Sequence, residues 1–302
     1  MYDICCIGHI TLDKVVTPHS EVFMAGGTSF YFSNAISNMN VEYLLVTALG
    51  ESEMHFVDDL RKKNIRVNAG SSAHTVYFEN IYSHNQDHRT QRVQQIADAF
   101  TTDQVKNIDA KIFHLGPLLS NDISTEMIKL LSKKGKVSLD VQGYLRKVEN
   151  KKVTAIDWDD KRKALQYIHI LKANEFEMEV LTGYSDVYEA AKLLHEWGVK
   201  EVVITLGSLG SIIYNEKKFY NIPAYKPSAI IDATGCGDTY MAGYLYQRIR
   251  GKDIQYAGEF AAATASLKIA TAGPFTGTEK EVISLLENAK KEVLISGLPA
   301  LH

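Results

Sequence analysis

Short apolar runs recur along the chain and alternate with segments of helical periodicity. The apolar runs occupy residues 2–8, 41–50, 111–116, 136–141, 167–173 and 201–207. The segments with apolar positions spaced by three and four include residues 29–38, 53–64, 122–134 and 186–197. Strands that alternate with helices pair in parallel, because each connecting helix packs across a face of the sheet. The sequence therefore predicts an α/β fold with a mostly parallel central sheet and helices on both faces.

Two stretches, residues 14–24 and 74–96, break this alternation. The second joins the run HTVYFENIYS to the polar run QDHRTQRVQQI, which predicts two strands with a turn near residues 85–88. We expect a small antiparallel β lid inside a single domain that covers residues 1–302. A small sheet with an exposed face is marginally stable alone. The lid should therefore cover a substrate or pair with the lid of a second subunit in a homodimer.

A glycine-containing loop, residues 231–238 (IDATGCGD), leads into another segment of helical periodicity. Gly235 and Gly237 allow the backbone to point several N–H groups at one spot. A helix start adds unpaired donors and a partial positive charge, so the loop predicts a phosphate site. Asp238 has two interpretations, because an acid in the first turn can complement the helix dipole or act on a bound ligand.

Further candidate residues follow the first predicted strand. Asp13 lies at the end of the sheet where open α/β folds bind ligands, and its carboxylate could grip sugar hydroxyls or simply cap a turn. Gly26 and Gly27 precede the helical segment that begins near Thr28. Adjacent glycines allow a ligand to lie against the backbone, although the same pair is common in turns.

Two later strands end in motifs that suit a nucleotide. Asn174 and Glu177 are three residues apart, so they would share one face of a helix and could orient magnesium-bound water. The same pair could instead cap that helix. Thr205, Gly207 and Gly210 close a strand and would let a nucleotide approach the backbone, or form a tight turn.

Asp140 and Arg146 follow another predicted buried strand. Arginine is well suited to contact a transferring phosphoryl group, because its guanidinium forms paired hydrogen bonds with phosphate oxygens. A surface arginine is the commoner case, so this assignment needs support from elsewhere in the chain.

The order of these motifs resembles the PfkB or ribokinase family of sugar kinases over nearly the whole chain. The most specific match is the segment 232–238 (DATGCGD), which is similar to the family signature Asp-Thr-x-Gly-Ala-Gly-Asp. The resemblance implies a ribokinase-like fold and transfer of the γ-phosphate of ATP to a hydroxyl of a sugar or related polyol. It makes Asp238 the catalytic base and the backbone N–H groups of Gly235, Cys236, Gly237 and Asp238 the anion hole.

The resemblance also implies roles for the other motifs, with ATP and Mg²⁺ as cofactors and K⁺ as a further candidate. The expected substrate residues are Asp13, Gly26, Gly27 and Thr28. The expected nucleotide residues are Asn174, Glu177, Thr205, Gly207 and Gly210. Arg146 is expected at the transferring phosphoryl group, and Glu177 and Asp232 are the expected metal residues.

The chain departs from the family pattern at several positions. Cys236 stands where Ala is usual and Ala233 where Thr is usual, and both are small enough to keep the loop working. Phe30 and Tyr31 occupy the region where ribokinases have Asn after Gly-Gly, which argues against ribose. The segment 140–146 is two residues longer than in many hexose kinases and looks closer to the cyclitol branches. A nucleoside kinase, a cyclitol (inositol-like) kinase and a non-catalytic ligand-binding relative are therefore the alternatives.

Composition favours small-molecule chemistry. A formal net charge of -3 and a pI near 6.4 give no net attraction to nucleic acid or to an anionic membrane. No apolar run approaches the roughly 20 residues of a membrane span, so we expect a cytoplasmic protein. Cys5 and Cys6 are adjacent on a predicted strand and should point to opposite faces, as packing residues. No Gly-x-Gly-x-x-Gly follows the first strand, which argues against a dinucleotide oxidoreductase.

Overall fold

The computed structural model describes residues 1–18, 20–82 and 89–296. Its strands are β1 (Tyr2–Ile7), β2 (Thr11–Val16), β3 (Glu21–Gly26), β4 (Tyr43–Leu49), β5 (Arg66–Ser71), β6 (Val76–Tyr82), β7 (Arg89–Gln95), β8 (Ala110–Leu115), β9 (Lys136–Asp140), β10 (Arg146–Glu149), β11 (Lys152–Ala155), β12 (Ile170–Asn174), β13 (Glu201–Thr205), β14 (Ser211–Asn215) and β15 (Lys218–Ile222). Its helices are α1 (Thr28–Ile36), α2 (Met54–Lys62), α3 (Thr125–Ser132), α4 (Lys161–Leu165), α5 (Glu175–Thr182), α6 (Val187–Glu196), α7 (Cys236–Ile249), α8 (Ile254–Ile269) and α9 (Glu279–Ser296).

A large sheet forms the centre of the molecule, in the strand order β15-β14-β13-β12-β9-β8-β1-β4-β5. The seven strands β13, β12, β9, β8, β1, β4 and β5, in this spatial order, pair in parallel. Strand β14 pairs antiparallel with both β13 and β15. The predicted mostly parallel sheet is therefore confirmed. Because β1 lies between β4 and β8, the direction of the strand order reverses there. Such a switch point leaves a crevice at the carboxyl ends of the strands, where ligands bind in open α/β sheets.

Two apolar cores lie on opposite faces of this sheet. Cys6 belongs to the core that is covered by α1, α2, α7, α8 and α9. Cys5 belongs to the core on the other face, which is covered by α3, α4, α5 and α6. Both thiols are free and buried, so the prediction that they serve as packing residues is confirmed.

A second, smaller sheet forms the lid, in the strand order β10-β11-β7-β6-β2-β3. Its strands β2, β3, β6 and β7 come from the two stretches that interrupt the main alternation, while the predicted turn at residues 85–88 lies outside the described residues. The prediction of a purely antiparallel lid is wrong, because β2 and β6 are parallel. Each of them follows a strand of the parallel sheet, so both leave that sheet in the same direction.

The lid also contains the hairpin of β10 and β11, which the sequence did not predict. Val76, Phe78, Val93 and Leu118 form a small apolar core under the lid. Strand β3 leads through Gly27 directly into α1, so the lid is joined to the crevice at this point. Within the described ranges, each helix is either too short or too polar to cross a membrane.

Candidate active site

The glycine-containing loop ends at the first turn of α7. Gly235 precedes the helix with a φ of 75°, a left-handed conformation that favours glycine. A Cβ atom at Gly235 would lie 2.2 Å from the ring of Tyr31, so the close packing of the loop on α1 also requires glycine. The first N–H groups of an α-helix have no partner within the helix. Those of Gly237 and Asp238 can therefore bind an anion.

Asp238 lies in this first turn, mostly buried, and the side chain of Thr28 favours the ionised form of its carboxyl. Burial raises the pKa of Asp238 to about 7, and the carboxylates of Asp140 and Glu177 add to the rise. The ammonium of Lys172 and the hydrogen bond from Thr28 act in the opposite direction. A carboxylate with a pKa near neutrality is a suitable general base, because it can both exist ionised and hold a proton at neutral pH.

Lys172 is a site residue that the sequence motifs did not reveal. It is buried, and its Nζ lies 3.0 Å from Asp140 Oδ2 and 3.6 Å from Glu177 Oε2. Burial alone would lower the pKa of Lys172, but the carboxylates of Asp140, Glu177 and Asp238 outweigh burial and raise it. The same Nζ lies 3.2 Å from the position of a Cβ on Gly237, so a charged ammonium stands beside the anion loop.

One signal in the sequence could have identified this residue. Lys172 occupies the middle of the otherwise apolar strand ILKAN, where both faces of the sheet are covered. Lysine is almost never fully buried unless it is paired. A lysine at the centre of a strand therefore indicates that carboxylates converge on it, although the sequence does not tell which.

Asn174 and Glu177 form the reciprocal cap of α5. Asn174 Oδ1 accepts a hydrogen bond from the Glu177 N–H at 2.8 Å, and Glu177 Oε2 accepts one from the Asn174 N–H at 2.8 Å. This arrangement supplies partners to two N–H groups at the helix start. Because Glu177 also faces Lys172, the cap fixes a carboxylate at the edge of the anion site. A nucleotide or metal role for this pair stays a prediction.

The predicted nucleotide strand lies beside that cap. Thr205 is the register partner of Asn174 in the β12–β13 pair, so the two motifs adjoin at one edge of the sheet. Gly207 and Gly210 have φ values of 57° and 95° and enclose a short 3-10 turn. The turn interpretation is therefore correct for these glycines, and their contact with a nucleotide stays a prediction.

The predicted substrate residues gather where the lid joins α1. Asp13 Oδ1 accepts a hydrogen bond from Thr11 Oγ1 at 2.7 Å, and a Cβ atom at Gly26 would lie 2.3 Å from Asp13 Oδ2. Gly27 has a φ of 88° and precedes α1, whose first residue Thr28 lowers the pKa of Asp238. The predicted acceptor residues therefore lie on the same side of the site as the predicted base.

Arg146 lies at the start of β10, half-buried, and donates a hydrogen bond to Gln142 Oε1 at 2.8 Å. Asp140, at the start of the same short 3-10 turn, accepts a hydrogen bond from the Gln142 N–H at 3.1 Å. Both side chains are therefore held by the turn that links β9 to the lid. Contact of Arg146 with a transferring phosphoryl group stays a prediction.

Asp232 meets a lysine. Lys268 Nζ donates hydrogen bonds to Asp232 Oδ2 at 2.9 Å and to the Asp232 carbonyl oxygen at 2.8 Å. Burial tends to raise the pKa of Asp232, but the bonds from Lys268 and from the Thr234 N–H outweigh it, and the pKa is lowered. The carboxylate of Asp232, an expected metal residue, is thus paired in this structure with the ammonium group of Lys268.

The residues near the loop do not build a complete metal cage. Across residues 1–18, 20–82 and 89–296, no group of three or more His, Cys, Asp or Glu side chains is placed to hold a metal. Mg²⁺ needs no such cage, because it keeps several waters and is commonly held by one or two carboxylates together with substrate phosphates. The carboxylates of Glu177 and Asp140 beside the anion loop fit that manner of binding.

A cavity of about 440 Å³ lies between residues 225–228 and the helices α8 and α9. Leu267, Ala270 and Leu285 give it apolar walls. Ser266 also lines it, and its buried hydroxyl has no hydrogen-bond partner within the part of the chain that the structure describes. The neighbouring residue of α8, Ala265, accepts a weak hydrogen bond from Cys236 Sγ at 3.9 Å. The cavity and a contact of the anion loop therefore lie along the same helix, α8.

Known proteins of one family are similar to this chain over most of its length. A family model described as pfkB family carbohydrate kinase matches residues 1–281. A cytidine kinase of Thermococcus kodakarensis is 29% identical over 269 residues, which are 84% of this chain and 91% of that protein.

Solved structures confirm the predicted ribokinase-like fold. A pyrophosphate-dependent kinase of the ribokinase family, in a sulfate complex, is 28% identical with a TM-score of 0.84, and the match covers 93% of this chain and 99% of that chain. A pyrophosphate-dependent kinase with a pyrophosphate analog and myo-inositol is 27% identical with a TM-score of 0.83 over the same shares. The ribokinase of Arabidopsis thaliana, with ribose and ATP, is 21% identical with a TM-score of 0.79, over 95% of this chain and 99% of that chain, and shows the fold alone.

Proposed function

Since the chain belongs to the pfkB family of carbohydrate kinases and is thus a phosphotransferase with an alcohol acceptor, we propose that it transfers the γ-phosphate of ATP to a hydroxyl of a sugar or related polyol. The observation that carries the proposal is the position of Asp238. Its carboxyl lies in the first turn of α7 beside the glycine loop, and the side chain of Thr28, on the predicted acceptor side, favours its ionised form.

The proposed reaction assigns one task to each part of the site. The acceptor hydroxyl gives its proton to Asp238 while its oxygen forms a bond to the γ-phosphorus, and the bond from phosphorus to the β–γ bridging oxygen breaks. The backbone N–H groups of Gly235, Gly237 and Asp238 and the ammonium of Lys172 stabilise the charge on the transferring group, whereas the N–H group of Cys236 donates to the Ala233 carbonyl oxygen at 3.2 Å and is not available. Asp13, Gly26 and Gly27 hold the acceptor, and Arg146 assists at the phosphoryl group.

Magnesium fits the same scheme. When bound with the donor, Mg²⁺ supplies charge neutralisation on the phosphate oxygens. Glu177 and Asp140 are the carboxylates of this chain that would hold it or its waters. Because these two carboxylates share the single ammonium of Lys172, one negative charge is left for a cation there, unlike the one-to-one pair of Asp232 and Lys268. Closure of the lid over the acceptor would exclude water, which otherwise competes for the phosphoryl group.

The cavity along α8 favours ATP over pyrophosphate as the donor. A volume of about 440 Å³ with apolar walls and an unpartnered Ser266 hydroxyl suits a purine base, which needs stacking surface and a few polar contacts. Pyrophosphate would leave this cavity unused. Pyrophosphate-dependent kinases are nonetheless among the proteins of similar structure, so the donor must be tested directly.

The acceptor has two further candidates. A nucleoside is suggested by the cytidine kinase, and a cyclitol by the relative solved with myo-inositol. A non-catalytic ligand-binding protein is the remaining alternative. The raised pKa of Asp238 disfavours it, because a binding protein gains nothing from a burial that makes ionisation of a carboxyl costly.

A donor and acceptor panel tests the proposal. Purified protein with Mg²⁺ is assayed with ATP or pyrophosphate against ribose, other sugars, cytidine and myo-inositol. We expect turnover of at least one acceptor, at least roughly tenfold faster with ATP than with pyrophosphate, and loss of turnover in Asp238→Asn. The exposed acid Asp159 supplies the control variant Asp159→Asn, which should keep full activity. Turnover by Asp238→Asn within tenfold of the wild type would contradict the assignment of Asp238 as the base. Faster turnover with pyrophosphate would contradict ATP as the donor.

A further inference from the structure

The last turn of α8 carries a lysine that is completely buried and points at the loop before the anion site. The side chain of Lys268 is 0% exposed, and that of Asp232, its partner, is 26% exposed. The Lys268 Nζ reaches both the carbonyl oxygen and the carboxylate of Asp232. A buried ammonium is costly unless it is paired and hydrogen-bonded, so this contact is built into the fold.

The surroundings of the ammonium explain why a cation is stable there. Lys268 lies in the last turn of α8, where the helix dipole presents its negative end. The carbonyl of Ile269 accepts hydrogen bonds from the N–H groups of Ile231 and Asp232, which ties the loop to this helix end. The ring of Tyr31 lies 5.9 Å from the Lys268 Nζ and also packs against Gly235 of the anion loop. The Lys268 ammonium therefore lies against both Asp232, at the start of the loop, and Tyr31, on which Gly235 of the loop packs.

A free monovalent cation does not fit these residues. K⁺ is held by carbonyl and carboxylate oxygens, and the two oxygens of Asp232 that the loop presents are already bonded to Lys268. The other carboxylate oxygen of Asp232 accepts a hydrogen bond from the Thr234 N–H. A second cation at Asp232 would also lie next to a buried positive charge, which repels it. The expectation that Asp232 serves K⁺ is thus disfavoured by the structure.

We propose that the Lys268 ammonium is a covalently tethered cation that holds residues 231–235 in place, so that the anion loop works without K⁺ or any other monovalent metal ion. Only the activity measurements of this proposal rest on the proposed kinase function; the unfolding measurements do not. Lys268 acts through Asp232 and is a positioning residue, since it reaches the anion site only through the loop.

The wild-type protein gives the first test. Activity and thermal unfolding are compared in KCl, NaCl and tetramethylammonium chloride at equal ionic strength, with Mg²⁺ constant. We expect activities within about twofold of one another and midpoints of unfolding within about 1 °C, because no site gains free energy from a small cation. Activation by K⁺ of tenfold or more, or a K⁺-specific rise of the midpoint, would overturn the proposal.

The variant Lys268→Ala gives the second test, because it removes the ammonium and leaves room beside Asp232. We expect activity in tetramethylammonium chloride to fall at least roughly tenfold, and K⁺, NH₄⁺ or methylamine to restore a large part of it. The same small cations should raise the unfolding midpoint of this variant by about 2 °C or more. A variant with low activity that no cation restores would contradict the proposal.

Two further variants guard these tests against trivial outcomes. Lys290→Ala removes an exposed lysine whose ion pair with Glu259 is 3.9 Å long, and should leave activity and cation response unchanged. If Lys268→Ala does not fold, the double variant Lys268→Met with Asp232→Asn removes both charges while keeping volume, and should be impaired with no response to any cation. The unfolding measurements need neither donor nor acceptor, so failure of the kinase assignment would not obscure their result.

Discussion

Replacing Asp238 by Asn should make the protein more stable while it destroys activity. In the folded state the pKa of Asp238 is raised from 3.8 to about 7, mainly by burial. The folded protein therefore binds the proton more tightly than the unfolded chain does. The stability that comes from this proton is fully present below pH 3.8 and is lost as the pH rises through about 7. Because Asn carries no charge, the Asp238→Asn variant does not lose this stability as the pH rises.

The size of the effect follows from linkage. Each pKa unit corresponds to about 1.4 kcal/mol, so a rise from 3.8 to about 7 makes ionised Asp238 cost roughly 4 kcal/mol above pH 8. Between pH 5 and pH 8 the wild type should lose roughly 3 kcal/mol relative to Asp238→Asn. Other groups, such as His114 with its pKa lowered to about 4, titrate equally in both proteins and cancel in the difference.

Urea unfolding at pH 5, 6, 7 and 8, followed by the fluorescence of the buried Trp158, measures this difference. Asp159→Asn serves as the matched control, since it replaces an exposed acid and should follow the wild type at every pH. Activity of Asp238→Asn should fall by about 10²–10⁴-fold, the usual contribution of a general base. A difference in unfolding free energy that does not change with pH would refute the raised pKa, and with it the reason for assigning Asp238 as a base suited to neutral pH.

Three other predictions concern the same site. The kcat/KM of the wild type should fall about tenfold per pH unit below pH 7, because protonated Asp238 cannot accept the acceptor proton; a flat profile down to pH 5.5 would be inconsistent with this. Gly235→Ala should abolish activity and destabilise the fold by more than Gly183→Ala, since both glycines have φ near 76° but only at Gly235 would a Cβ meet another group, the ring of Tyr31. Equal unfolding midpoints for these two variants would contradict that packing. Lys172→Met should move the acidic limb of the kcat/KM profile upward by about one pH unit or more, and Lys172→Arg should return it toward that of the wild type.

The parallel strands β1, β4, β8, β9, β12 and β13 could be predicted from the sequence because each is a continuous apolar run, whereas the edge strand β5 is mostly polar and was missed. The glycine loop and Asp238 were identifiable for a related reason, since residues 232–238 are contiguous and carry their signal locally. Lys172 was not, because the carboxylates that explain it come from residues 140, 177 and 238, which only the folded sheet brings together.

The hairpin of β10 and β11 was missed for a different physical reason. Its two turn residues, Asn150 and Lys151, have φ values of 48° and 64°, a conformation that two-residue hairpins usually build with Asn-Gly or Asp-Gly. The strands beside them are short and rich in charge, so no apolar alternation marked them. Glu216 and Lys217, which connect β14 to β15, form a similar turn without glycine, with φ values of 48° and 67°.

The lid is made from three separate excursions of the chain, at residues 11–26, 76–95 and 146–155. These three segments are far apart in the sequence. The main sheet brings their ends together, so we expect the lid sheet to form after the main sheet. We therefore infer an order of assembly in which the donor end of the molecule forms before the acceptor end. It follows that a molecule that opens locally at the lid would keep its glycine loop and lose Asp13, Gly26 and Gly27, the residues proposed to hold the acceptor.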